Sequence, residues 1–239
     1  MTSFFGDNAF AQRQFMLNFS VRQGYIVRNP VSGVRFLPEG PGSIRVVSHD
    51  EQRRYLAVAN ANLRDVVTMI VETGMRPEEV YTIRKENVHL NRRYLFIPTG
   101  KTRYARRNVP LTAATIEVLK QRLASAEGPY LFGKRGNPEK PIGPICWEHR
   151  KTLRKTGIRP PFRLYDFRHT FGSRSAMAGV DLATLKELLG HSNISITMRY
   201  VHPTPEHKRA AVEKLERFNT EQLFLAYGNR AESPQNPPQ

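Results

Sequence analysis

The chain has 239 residues, one cysteine, a 39% apolar fraction and a net charge of +16. That length fits one full domain plus extra pieces. A lone cysteine excludes an internal disulfide and fits a reducing cytosol; no apolar run is long enough to span a membrane, and the N-terminus lacks a signal peptide's basic start and apolar core. A positive surplus this large marks a polyanion-binding surface, with nucleic acid as the expected partner.

Residues 1–28 read as mostly helical, with Phe15, Leu17, Phe19 and Val21 among polar residues. Asn29-Pro30-Val31-Ser32-Gly33 ends that element, and Pro38-Glu39-Gly40-Pro41-Gly42 reads as a linker. Ser48 and Glu51 have capping-box spacing, which starts a helix. A second, apolar helix covers about Leu63 to Glu72. Gly74 supplies the backbone angle of a turn, and Pro77 suits a first helical position, where its missing N–H costs nothing. Arg76 then stands at a helix N-terminus, whose N–H groups favour an anion; alone, Arg76 and Glu79 would be a surface pair. Arg93 to Ile97 and Ala105 to Val109 read as two strands joined by a loop holding Gly100-Lys101-Thr102. That loop is no nucleotide-binding P-loop: Leu95 or Phe96 stands where glycine is needed, and the segment follows a proline.

Thr112 caps a helix through Leu123, Tyr130-Leu131-Phe132 is a short extended segment, and Gly133 to Gly143 reads as a basic loop. Ile145 to Lys155 reads as a helix carrying His149, Arg150, Lys151, Arg154 and Lys155, with Cys146 expected as a buried structural thiol. Asp181 caps a helix that ends at Gly190. Ser192 or Asn193 starts the next helix, which is expected to carry Tyr200. Residues 206–224 read as helical, and the tail from Ser233 as disordered.

Four segments stand out together. They are Thr73-Gly74-Met75-Arg76-Pro77-Glu78-Glu79, the Lys101 loop closed by Val109-Pro110-Leu111, Tyr165-Asp166-Phe167-Arg168-His169-Thr170, and Leu189-Gly190-His191 with Tyr200 nine residues beyond the histidine. In this order they closely resemble the catalytic domain of tyrosine recombinases, the phage-integrase family. One departure is visible: the family usually has His-x-x-Arg where this chain has Tyr165 and Arg168. A phenol is a poorer proton carrier than imidazole near neutral pH. The stretch from Phe15 to Phe36 resembles the last helix and exit strand of an integrase core-binding domain, most of which this sequence does not contain.

The resemblance implies a mainly α fold with a small antiparallel sheet beside the catalytic cleft, an α+β class. It implies a core-binding remnant at 1–40, a catalytic domain at 45–217 and a C-terminal segment at 218–239. It also implies DNA cutting and rejoining through a 3′-phosphotyrosine, without metal, ATP or other cofactor. Arg76 and Arg168 would clamp the phosphate, where two guanidiniums can bind the extra charge of a pentacoordinate transition state. Lys101 would be the general acid for the departing 5′ oxygen. His191 would contact the phosphate, Tyr200 would attack, and Tyr165 takes the usual histidine's place. Asp166 reads as an internal salt bridge or cap, and His169 as structural.

Arg103, Arg106, Arg107, Lys134, Arg135, Arg150, Lys151 and Arg154 would line a DNA channel, with salt-dependent phosphate contacts. The helix from Ile145 to Lys155 is a candidate major-groove reader. The implied partners are double-stranded DNA and three further copies of the chain in a homotetramer, with no membrane and no small-molecule substrate. Phe218, Leu223, Phe224 and Tyr227 could dock on a neighbouring copy or pack on their own chain. A cytoplasmic, DNA-associated location follows, with bacterial or phage origin. Two other readings stay open: a non-catalytic DNA-binding remnant, and relaxation of supercoils by the same tyrosine chemistry.

Overall fold

The computed structural model describes residues 3–34, 44–98, 106–201 and 205–228. The Pro38–Gly42 linker, Lys101, Arg103 and the tail from Ser233 lie outside them. The chain divides into two compact units, Met1–Ile44 and Arg45–Gln239. In the first, helix α1 spans Ser3–Arg22. Asn29 closes the turn that follows: its amide donates to Asn18 Oδ1 at 2.7 Å, and its own Oδ1 accepts from Val31 N–H at 2.9 Å. Residues 30–33 form a turn, and 35–36, the end of the expected exit strand, lie outside the described residues.

The second unit opens with α2, His49–Val58. Its capping box forms as the Ser-x-x-Glu spacing requires: Ser48 Oγ accepts from Glu51 N–H at 3.1 Å, and Glu51 Oε2 accepts from Ser48 N–H at 2.9 Å. Helix α3, Ala61–Thr73, starts at the Asn60 cap and buries Leu63, Val66, Val67, Met69, Ile70 and Val71. Apolar residues on more than one stripe make it the central helix, and each side chain so buried contributes about 1.5–3 kcal/mol. It ends at Gly74, where φ is 70°. A Cβ there would lie 2.4 Å from the Phe171 ring, so glycine satisfies both the left-handed turn and a close approach. Pro77 occupies the first turn of α4, Pro77–Tyr81, with Arg76 at its N-cap.

Strands β1 (Val88–His89), β2 (Tyr94–Ile97) and β3 (Arg107–Pro110) form an antiparallel sheet in that order. The register pairs Val88 with Leu95 and Leu95 with Val109, so the apolar positions fall on the core face. Helix α5 is Ala113–Ser125. The stretch expected as a basic loop instead holds a two-stranded hairpin, β4 (Gly133–Lys134) and β5 (Asn137–Pro141), with Gly136 at φ 77° in its turn. Its prolines and charges carry no apolar alternation, which is why the sequence reads as loop.

Helix α6, Cys146–Thr156, turns His149 and Thr152 inward. Cys146 is exposed, contrary to the expected buried thiol: it starts the helix on the solvent side, while its neighbour Ile145 enters the core. Tyr55, Phe162 and Phe167 pack with ring centroids 5.1–5.5 Å apart. His149 ties this cluster together, 2.6 Å from Tyr55 Oη through Nδ1 and 2.9 Å from the Phe162 carbonyl through Nε2.

Helix α7, Asp166–Met177, packs on α3. Thr170 Oγ1 accepts from Val47 N–H at 2.9 Å, and Arg174 donates to the Val47 carbonyl at 3.0 Å and to Gln52 at 2.7 Å. These bonds hold α7 in place from the far side of the site. Asp166 forms the internal contacts expected of it, accepting from Arg163 N–H at 2.6 Å and from its guanidinium at 3.0 Å. Helices α8 (Leu182–Leu189), α9 (Ile194–Met198) and α10 (Pro205–Gly228) complete the chain. The architecture is mainly α with small antiparallel sheets. The described side chains of α10 through Phe224 are exposed, including Leu215, Phe218, Leu223 and Phe224. Among the described residues, no helix is long and apolar enough to cross a membrane.

Candidate active site

The site is assembled where α3, α7 and α8 end or meet. From the Tyr165 cap into α7, Tyr165, Arg168, His169 and Gly172 follow helical spacing and share one face. Arg168 is fully buried. Its guanidinium donates from Nη1 to the Gly74 carbonyl at 2.7 Å and from Nη2 to the Leu189 carbonyl at 2.6 Å. Leu189 O closes α8 and Gly74 O caps α3, so both are carbonyls that helix geometry leaves unpaired and partly negative. Nε has no partner. Burial lowers the Arg168 pKa to about 10, which still leaves it a cation at neutral pH.

The end of α8 receives two more arginines. Arg107 Nε donates to the Leu188 carbonyl at 2.9 Å, and Arg76 Nη2 lies 3.4 Å from the Gly190 carbonyl. Arg76 and Arg107 also share Glu79. Glu79 Oε1 accepts from Arg76 Nη1 at 2.8 Å and Arg107 Nη1 at 3.1 Å; Oε2 accepts from Arg76 N–H and Arg107 Nη2, each at 2.9 Å. Four donors thereby fill the carboxylate's capacity. Burial alone would raise the Glu79 pKa, but Arg107's hydrogen bonds and charge, aided by Arg76, outweigh it and hold the carboxyl below its usual range. The side chains of Glu79 and Arg107 are 9% and 7% exposed, that of Arg76 32%. Arg107, expected along a DNA channel, thus lies inside the site, and Arg76 is its more open cation. Three arginines against one carboxylate leave a net positive, anion-receptive cluster.

Gly190 explains why a Gly-His pair follows α8. Gly190, at φ 63°, donates to the Glu187 carbonyl at 3.0 Å, and His191 N–H donates to the Lys186 carbonyl at 3.0 Å. This is a Schellman closure, which needs a left-handed residue at the first position beyond the helix. It delivers His191 into the site. His191 Nδ1 lies 2.9 Å from Thr197 Oγ1, and the ring stacks on Tyr200 at 6.3 Å and 14°. Burial, then the charges of Arg168 and Arg76, push the His191 pKa down to about 3, so the ring is neutral.

Tyr200 lies just beyond α9 rather than within it; the helix ends at Met198, and Tyr200 N–H donates to the Thr197 carbonyl at 3.0 Å. Its ring is nearly buried. The hydroxyl sits 2.9 Å from His169 Nδ1, and Gly172 forms the wall behind it. Burial raises the Tyr200 pKa to about 12, while Arg168 pulls the other way. Tyr165 meets His169 edge-on at 5.1 Å, and the Arg168 guanidinium lies 5.9 Å from the Tyr165 ring centroid. His169, read from the sequence as structural, is the residue whose imidazole meets the Tyr200 hydroxyl. Its one signal was its place a helical turn after Tyr165, on the same face.

Arg76, Tyr165, Arg168, His191 and Tyr200 are therefore gathered in one place. Lys101 and Arg103 lie outside the described residues. Arg106 is exposed, 5.4 Å from the Phe96 ring centroid. Lys134 and Arg135 are exposed on the β4–β5 hairpin, and Arg150, Lys151 and Arg154 on the outer face of α6, where Lys151 lies over the exposed Trp147 ring at 4.9 Å. Among the described residues, no three His, Cys, Asp or Glu side chains are grouped to hold a metal ion.

The model of the phage integrase family matches residues 45–207. A tyrosine recombinase, XerA, of Pyrococcus horikoshii is 30% identical over 192 residues, which cover 77% of this chain and 66% of the relative. The integrase of Salmonella phage P22 is 25% identical over 209 residues, covering 81% of this chain and 53% of that protein. The chain thus spans about two thirds or less of the length of these curated relatives. Among solved structures, the Tn1549 transposon integrase in complex with a circular intermediate DNA superposes with a TM-score of 0.69 at 18% identity, covering 87% of this chain and 78% of that one. A XerA recombinase crystal structure gives 0.58 at 21%, covering 74% and 66%. At these identities the likeness to the two structures is one of fold.

Proposed function

The chain belongs to the phage integrase family, and from that premise we propose that it is a site-specific recombinase that cuts and rejoins duplex DNA through Tyr200. The observation that carries this reading is that the Tyr200 ring stacks on His191, the residue that follows the α8 end on whose carbonyls Arg168, Arg76 and Arg107 converge. Residues 45–217 form the catalytic domain, 1–40 the end of a core-binding domain and 218–239 a C-terminal segment.

Tyr200 Oη attacks a DNA phosphorus, forms a 3′-phosphotyrosine and releases a 5′ hydroxyl. Arg76 and Arg168, aimed by Glu79 and by the carbonyls that close α3 and α8, bind the phosphate oxygens, and their charge stabilises the pentacoordinate transition state. His191 donates a further hydrogen bond from its neutral ring. Lys101 gives the proton to the departing 5′ oxygen. Tyr165, at the edge of His169, supports the ring cluster. The phosphodiester's energy stays in the protein–DNA bond, so a 5′ hydroxyl from a partner strand can reverse the step without ATP. Strand exchange requires two DNA sites, and a homotetramer provides them; the exposed apolar side chains of α10 support docking between copies. The activity belongs to the cytoplasm, on DNA.

The test is covalent trapping on nicked suicide duplexes drawn from sequence flanking the gene. An SDS-resistant protein–DNA species is expected, and it should form in EDTA. Salt-sensitive binding with no such species would overturn the reading in favour of a non-catalytic DNA-binding protein.

Two further outcomes follow. Gly172→Ala places a methyl about 2.9 Å from Tyr200 Cε2 and Cζ. Alanine in a helix interior is ordinarily favourable by up to about 1 kcal/mol, so the fold should survive. The displaced nucleophile should lower the rate of adduct formation by about 10²-fold with DNA affinity unchanged. Separately, Arg106, Lys134, Arg135, Arg150, Lys151 and Arg154 are solvent-facing cations in this reading of the DNA channel. Changing any one that contacts phosphate to Ala should flatten the plot of log affinity against log salt by about 0.9, measured by fluorescence anisotropy.

A further inference from the structure

We propose that His169 is the base that takes the proton from Tyr200, replacing the imidazole that this chain lacks at position 165. The inference rests on the recombinase reading of Tyr200. Its warrant is a direct contact with the reacting atom: His169 Nδ1 lies 2.9 Å from Tyr200 Oη, within reach for proton transfer without a bridging water. Positions 165 and 169 are one turn apart on α7, so both face the nucleophile. The Tyr165 ring edge packs on the His169 ring, with centroids 5.1 Å apart and planes at 72°. A phenol oxygen is too weak a base to accept a proton from another phenol near neutral pH; an imidazole one turn on is not.

The surroundings favour a neutral acceptor. Burial lowers the His169 pKa; Asp166 opposes this, while Arg163, Arg168 and Arg199 add to it. The ring is thus uncharged at pH 7. With Nδ1 accepting, its single proton sits on Nε2. Facing groups are Tyr165, Asp166 and Arg168 from α7 and its cap, Arg163 from the preceding turn, and Tyr200 and Arg199 from the end of α9.

In the cleavage step the Oη–H bond breaks as the Oη–P bond forms, and the proton passes to Nδ1. The P–O5′ bond breaks, and the 5′ oxygen takes its proton from the general acid. On rejoining, a 5′ hydroxyl attacks the phosphorus and releases Oη, which recovers the proton from Nδ1; the hydroxyl's own proton returns to the general acid. The imidazolium that exists between the two events stands beside the extra negative charge of the phosphate.

The experiment compares wild type, His169→Ala and His169→Asn in single-turnover trapping over pH 5 to 9. Asparagine keeps the bulk and can hold the phenol by a hydrogen bond, but takes up no proton. A base predicts that both variants lose about 10²–10⁴-fold and the rising limb of the pH profile. It also predicts that added imidazole restores part of the rate to His169→Ala. A 5′-phosphorothiolate substrate, whose leaving group needs no acid, should rescue neither variant while rescuing Lys101→Ala. Full activity of His169→Asn, or wild-type pH dependence in both variants, would overturn the proposal and leave the recombinase reading intact. A wild type that forms no adduct would overturn both.

Discussion

Tyr200→Phe should form no covalent species with any DNA while binding that DNA as wild type does. The substitution removes one oxygen and keeps the ring that stacks on His191 and fills the wall at Gly172. Without the oxygen there is no nucleophile, so the loss of adduct is complete rather than partial. Stability should fall modestly. The cost is that of leaving His169 Nδ1 without its partner, about 1–3 kcal/mol, which lowers the urea midpoint but leaves the protein folded. Gel shifts report the retained binding, SDS gels the missing adduct, and urea denaturation the retained fold. A residual adduct in Tyr200→Phe would mean that another side chain attacks. It would remove the ground on which Tyr200 was assigned.

Glu79→Ala should be the most destabilising single change in the site. The carboxylate is buried, receives four donors, and separates two guanidiniums. Removing one partner from such a pair leaves uncompensated buried charge and typically costs about 3–5 kcal/mol. Arg107, 7% exposed, bears most of that loss; Arg76, more open to water, can relax. The effect should persist in high salt, because buried pairs are poorly screened. Arg107→Met in the Glu79→Ala background should recover part of the stability, since the buried cation that pairs directly with Glu79 is then gone. It should not recover adduct formation, because Arg76 would still lack the carboxylate that aims it. Denaturation free energies of wild type, Glu79→Ala, Arg107→Met and the double variant measure the coupling directly. Equal stability of Glu79→Ala and wild type would show that the ion pair is no part of the framework.

Much of this could be read from residue order because it depends on local chemistry. The Ser48–Glu51 box, the left-handed turns at Gly74 and Gly190 and the proline opening α4 each satisfy a backbone requirement within a few residues. The nine-residue step from His191 to Tyr200 is likewise local: a Schellman closure, then one short helix. What escaped was set by contacts between distant segments. His169 meets Tyr200 across 31 positions, and Arg107 meets Glu79 across 28. Nothing beside Arg107 in the chain says that its guanidinium points inward; in sequence it is one more member of a basic run. The same holds for Cys146, whose exposure depends on which face of α6 meets the core. The β4–β5 hairpin escaped for another reason: it forms through backbone pairing without an apolar face.

The three carbonyls at the end of α8 are main-chain atoms, present whatever residues stand at 188, 189 and 190. Side-chain drift at the first two positions cannot delete the acceptors for Arg107 and Arg168, whereas Glu79, a side chain, can be lost by one codon change. The arginine set therefore rests on a heritable asymmetry: half of its support is proof against substitution, and the other half is a single point of failure. Its tolerance should narrow at Gly190, where any side chain must adopt the left-handed angle at which this carbonyl meets Arg76. Variation among natural copies of this chain would then be free along the outer face of α8 and confined at its final turn.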